Sequence, residues 1–204
     1  MAGSDVQAVF ITADTNAVDA ASVAAAARPN TDFTIDGTDT DGGVATFAAG
    51  RIITCTTAGT GDNGKTVTLT GTDVNGDSQT EVITLTGSAT AHAGSKYFKT
   101  ITAASASAQP AANVSIGMAA GSADVIFAGR SRLKGAYIVN SGTAGTLDFL
   151  TTSPTGTSVM KVGTVASATV TRDVHIPEEG VLFTDGIYVQ YTVATFTTIT
   201  AFHA

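Results

Sequence analysis

The chain of 204 residues has one cysteine, no tryptophan and little charge. Each scarcity removes a class of protein. With Cys55 alone, no intrachain disulfide can form, so a disulfide-stapled secreted fold is not indicated. Charged residues are 13% of the chain, and acidic ones outnumber basic ones 17 to 10, for a net charge of −7. A surface of that sign repels nucleic acid, and no nucleic-acid partner is expected. Aromatics are 6%, with four Tyr, which leaves little material for the aromatic platforms that hold glycans. No run approaches the ~18 apolar residues of a membrane span, so no membrane association is expected. Residues Met1-Ala2-Gly3-Ser4-Asp5 carry neither the basic nor the apolar segment of a secretory leader.

Thr, Ala, Gly and Ser fill the gap, a mixture that builds strands and turns. The clearest local pattern is Lys65 to Leu85. Apolar residues alternate with Thr in Thr66-Val67-Thr68-Leu69-Thr70, and a second run, Thr80-Glu81-Val82-Ile83-Thr84-Leu85, follows Asp73-Val74-Asn75-Gly76-Asp77. Alternation predicts two half-buried strands, and Asn75-Gly76 predicts a type I′ hairpin turn between them. Further strands are expected at Val6 to Ile11, Thr31 to Ile35, Arg51 to Thr56, Lys96 to Ile101, Asn113 to Gly117, Val125 to Phe127 and Arg132 to Val139. Others fall at Thr146 to Leu150, Ser158 to Val162, Thr169 to Ile176, Ile187 to Thr192 and Phe196 to Phe202. Gly87 to Gly94 and Ala103 to Ala112 read as loops. Residues 17–27 are Ala-rich and predict one short helix, ended by Pro29. The expected fold is all-β: two small β-sandwich lobes over 29–120 and 124–204, joined by a linker at Met118 to Ala123 and preceded by an N-terminal arm and short helix over 1–28. Val6 to Ile11 is apolar enough to need burial, either as an arm that pairs with a neighbouring subunit or as the edge strand of its own domain.

Residues with chemistry do not assemble into a motif that survives inspection. Gly59-Thr60-Gly61-Asp62-Asn63-Gly64-Lys65-Thr66 matches the phosphate-loop pattern, with a Lys for phosphates and a Thr for magnesium. That loop must open a helix, whereas Lys65 and Thr66 open an alternating strand. Asp73 to Asp77 and Asp36 to Asp41 are acidic loops, but neither fits the twelve-residue calcium loop. His92, His175 and His203 lie far apart with no zinc-type spacing. Cys55 sits in an apolar run with no evident base. Glu178-Glu179 reads as a solvated turn. Arg130, Arg132 and Lys134 share one side of a strand and are expected to salt-bridge acidic neighbours. No catalytic residue, cofactor site or metal site is expected, and the chain reads as a non-enzyme.

Two stretches are familiar together. One runs from Arg51-Ile52-Ile53-Thr54 through Gly64-Lys65-Thr66-Val67-Thr68-Leu69-Thr70-Gly71-Thr72-Asp73-Val74-Asn75-Gly76 and Glu81-Val82-Ile83-Thr84-Leu85 to Lys96-Tyr97-Phe98-Lys99-Thr100-Ile101. The other joins Gly135-Ala136-Tyr137-Ile138-Val139 to Gly180-Val181-Leu182-Phe183 and Gly186-Ile187-Tyr188-Val189. Over roughly residues 45–120 and 125–204 the chain resembles small virion structural proteins of tailed bacteriophages. The resemblance implies a place in the virion, with assembly in the bacterial cytoplasm. It further implies a capsid decoration (cement) role, contacts with the major capsid protein and a symmetric homo-oligomer, a trimer by analogy. Alternatives are a neck, tail or head-fibre component, or a β-sandwich module that binds host glycan.

Overall fold

The computed structural model describes residues 6–12, 19–87, 89–119 and 123–204. Nearly all of its regular structure is β, and the chain divides into two units. One is Val18–Ala120. The other is Gly121–Ala204 together with the N-terminal residues, so the first strand, β1 (Gln7–Thr12), belongs to the C-terminal unit. The expected separate segment over 1–28 is therefore divided between the two units. Of the linker expected at Met118 to Ala123, both end residues lie in strands, and 120–122 lie outside the described residues.

The N-terminal unit holds β2 (Asp19–Ala27), β3 (Thr40–Asp41), β4 (Val44–Thr57), β5 (Thr66–Thr72), β6 (Ser78–Thr84), β7 (Ala91–Ala106) and β8 (Val114–Met118). All pairings are antiparallel: β2 with β8, β8 with β4, β4 with β7, β7 with β5 and β5 with β6, while β3 adds to β4. Val67 and Leu69 of β5 and Ile83 of β6 point into one core with Ile53, Cys55, Phe98, Ile101, Val114 and Ile116. The period-2 pattern of the sequence thus reports the buried face.

Four local expectations are corrected by the structure. The Ala-rich segment is a strand over Asp19–Ala27, not a helix; residues 17 and 18 lie outside the described residues. A glycine on the neighbouring strand lets its backbone approach closely. A Cβ on Gly117 of β8 would stand 1.9 Å from the Asp19 carbonyl oxygen, and the Met118 amide donates to Ser22 Oγ at 3.1 Å. Packing of this kind overrides alanine's helix preference, which is worth only tenths of a kcal/mol per residue, about 0.7 at most. The hairpin turn is not type I′, because Gly76 has positive φ (86°) and Asn75 does not. Asp73 Oδ1 accepts from the amides of Asn75 (2.8 Å) and Asp77 (3.0 Å), and Gly76 N donates to the Asp73 carbonyl. A side chain that caps its own turn favours a type I turn followed by a left-handed glycine. Thr31 to Ile35 forms only a bridge, Asp32 to Ser105, beside the end of β7, whose sixteen residues run through stretches expected to be loops. Ala, Ser and Gly there carry no apolar alternation to betray a strand.

The C-terminal unit adds β9 (Ala123–Phe127), β10 (Ser131–Asn140), β11 (Gly145–Thr151), β12 (Thr157–Thr164), β13 (Thr171–His175), β14 (Val181–Phe183), β15 (Ile187–Gln190) and β16 (Phe196–His203), with a 3-10 turn at Val193–Thr195. One sheet has the order β1-β16-β10-β13, and β14 extends along the β10 edge. A second carries β12-β11-β15-β9. Both are antiparallel. β1 registers Gln7 to Thr12 against His203 to Thr198, which makes it the edge strand of its own chain's unit. Ile11, Ile199 and Ile138 form one buried row across that sheet.

Candidate functional site

The phosphate-loop match leads into strand β5 and is locked onto its own chain. Lys65 Nζ donates to Asp62 Oδ1 (3.0 Å) and to the Gln109 carbonyl (2.9 Å), and Asp62 Oδ1 also accepts from Ala111 N. Burial alone would raise the Asp62 pKa; the Ala111 amide and the Lys65 ammonium outweigh it and hold the carboxyl below its usual range. The lysine side chain that would meet a phosphate thus clamps the 59–66 loop to the 107–113 loop.

Cys55 is fully buried, and its cross-strand neighbour on β7 is His92, a juxtaposition that sequence distance conceals. Burial, with the nearby Glu81 carboxylate, pushes the thiol up to about 12. It remains a thiol at neutral pH and is no nucleophile. Glu81 is the residue that sequence reading missed. It lies on the inward row of β6 with Ile83, 7% exposed, while Val82 is 58% exposed. Its Oε1 accepts from Ser95 N (2.5 Å), Ser95 Oγ (2.9 Å) and Lys96 N (3.1 Å). A Cβ on Gly94 would come within 2.3 Å of Oε2. Extending the period-2 row back from Leu85 and Ile83 points to it.

Other candidates serve local structure. Arg132 and Lys134 donate to the carbonyls of Glu179 and Gly180 rather than to carboxylates, so the expected salt-bridging face is instead a clamp on the turn that contains Glu178-Glu179. Arg130 is exposed. The carboxylates of Asp36, Asp73 and Asp19 accept backbone amides, and no cluster of His, Cys, Asp and Glu that could hold a metal occurs among the described residues. His203 is buried against Phe127, with ring centroids 5.1 Å apart, and His175 is exposed on the opposite face of the same sheet.

Two surfaces of the C-terminal unit remain. On the outer face of β1-β16-β10-β13, register aligns Phe10, Thr200, Tyr137 and Asp173 in one row. Phe10 is 53% and Tyr137 41% exposed, and Val6 just ahead of β1 is exposed as well. On the second sheet, Gln190, Asp148 and Lys161 form one row across β15, β11 and β12. With Thr146, Tyr191 and Thr192 they line an open groove of about 470 Å³. Asp148 is set in place by Lys161 Nζ at 2.8 Å on Oδ2 and by the Ser158 hydroxyl on Oδ1.

No protein-family model, no curated protein and no solved structure matches this chain.

Proposed function

We propose that this chain is a non-enzymatic structural protein of a tailed phage particle, a capsid decoration (cement) protein that stabilises the head as a symmetric homo-oligomer in contact with the major capsid protein. The observation that carries this reading is the exposed aromatic row Phe10–Thr200–Tyr137, which begins on an edge strand. Large exposed apolar side chains gathered on one flat sheet face are a form of docking surface. The edge of β1 away from β16, which no described strand covers, can also accept a strand from a neighbour. Resemblance of 45–120 and 125–204 to small virion proteins supports the same reading, and the trimer rests on that resemblance.

The test uses purified virions. Mild chaotrope should release this protein before the major capsid protein, leaving a weakened head. Copy number places it: on the order of hundreds of copies indicate the capsid surface, whereas about six or twelve indicate the neck or tail. The Phe10→Ser and Tyr137→Ser variants should fold normally, because both side chains are exposed, yet fail to load onto stripped particles. Unchanged loading of both variants would defeat the docking surface, and absence of the protein from purified virions would defeat the reading itself.

A further inference from the structure

We infer that the groove on the β15-β11-β12 face is a binding site for a neutral saccharide. The inference is independent of the docking face, which lies on the other sheet of the same unit.

The groove is built by register. Asp148 of β11 stands between Gln190 of β15 and Lys161 of β12. Two residues along on the same face, Thr146 stands opposite Gly163, where a Cβ would meet nothing within 4 Å, so the floor stays open at that end. Thr192 follows Gln190 by two and leads into the turn Val193–Thr195 without capping it, which leaves its hydroxyl directed to no backbone amide of that turn. Tyr191 supplies the remaining wall. It is 5% exposed, its hydroxyl donates to the buried Asp124, and its ring stands edge-on to Phe196 at 6.1 Å.

The charges select the ligand class. Asp148 and Lys161 neutralise each other at 2.8 Å. An anion entering the groove would meet the carboxylate, and a cation would meet the ammonium. Calcium takes six to eight oxygens, and the groove offers one carboxylate already shared with a lysine. An apolar ligand would strip water from Gln190, Thr146 and Thr192 and return no hydrogen bonds. What remains is a neutral molecule rich in groups that both donate and accept. The vicinal hydroxyls of a sugar fit: the Lys161 ammonium donates, the outer lone pairs of Asp148 accept, and the Gln190 amide and both threonine hydroxyls do either. A groove of about 470 Å³ lies within the usual range of small-molecule sites and holds one or two hexose rings. Among the lining residues no aromatic face is free for stacking, because Tyr191 is committed elsewhere, so binding is weak.

The experiment is an amide-resolved NMR titration of the full chain with maltose, lactose and diacetylchitobiose. At least one should give saturable shifts confined to residues 146–148, 161 and 190–192. Asp148→Asn exchanges an acceptor for a donor at constant shape, and Gln190→Ala removes the amide. Each should raise the Kd at least tenfold while the rest of the spectrum stays superimposable, which reports an intact fold. Sodium phosphate and calcium chloride should leave the groove residues unmoved. The inference is overturned if none of the three sugars shifts these residues, if the shifts survive both substitutions, or if only phosphate or calcium produces them.

Discussion

Thr152 holds φ at 77°, in the left-handed region that β-branched side chains avoid. Its amide donates to the Asp185 carbonyl, which keeps it there, and its side chain is exposed. The left-handed conformation costs an L-residue about 1–2 kcal/mol, and glycine escapes most of that while giving back about 0.5–1 kcal/mol in unfolded-chain entropy. Thr152→Gly should therefore raise the urea midpoint by the equivalent of about 0.5–1 kcal/mol; an unchanged or lower midpoint would show that the bend is not strained. His203 makes a second prediction. Burial lowers its pKa below the ordinary 6.5. The folded protein keeps it neutral, and the unfolded chain takes up a proton below about pH 6.5, so this residue's contribution is complete at higher pH and is lost on acidification. The stability difference between wild type and His203→Gln should shrink as pH falls from about 7.5 to 5.5. A difference independent of pH would mean the imidazole is solvated.

At the level of elements, the 59–66 loop shows how a sequence pattern can carry a different chemistry. Asp62 is fully buried, and Lys65 pairs with it. Lys65→Met keeps the stem and removes the ammonium, leaving a buried carboxylate oxygen short of a donor. The expected cost is about 1–3 kcal/mol in chemical denaturation. Calorimetry with ATP should show no binding to wild type or variant. Nucleotide retained by wild type and lost from the variant would restore the phosphate-loop reading. β2 offers the converse case, since no local preference of its alanines points to a strand. Pairing with β8, where Gly117 lies close and the Ser22 hydroxyl accepts from the Met118 amide, explains why Asp19–Ala27 is extended.

Across the whole molecule, the first and last described strands share one sheet. β1 pairs with β16, so residue 7 lies beside residue 203, with the entire N-terminal unit between them in sequence. Deleting residues 1–12 should unfold or loosen the C-terminal unit and leave the N-terminal unit intact. Ile11 is 2% exposed, and Ile11→Ala should cost about 2–5 kcal/mol in the C-terminal unit alone. Two separate unfolding transitions, only one of them shifted, would be the signature. A truncated protein as stable as the full chain would mean that β1 functions as an exchangeable arm instead. A topology so rich in non-local pairing should also refold slowly, in milliseconds to seconds.

The sequence by itself determined the class: alternating Thr and aliphatic residues, glycine-bearing turns and scarce charge point to an all-β fold. It also located the 65–85 hairpin and most strands of the C-terminal unit, because period-2 burial is a local property of the chain. The tertiary structure alone decided the rest. Whether an alanine run is helix or strand depends on what packs against it, and β7 extends through Ala, Ser and Gly because its neighbours pair with it. Glu81 is buried because Ser95 and Lys96 supply donors from another strand. The same holds for the two surfaces that carry the functional readings. Phe10 and Tyr137 are 127 positions apart in number, and Asp148 and Gln190 are 42 apart, the differences of their residue numbers. Only antiparallel register, set by long-range hydrogen bonds that no local window contains, places them side by side.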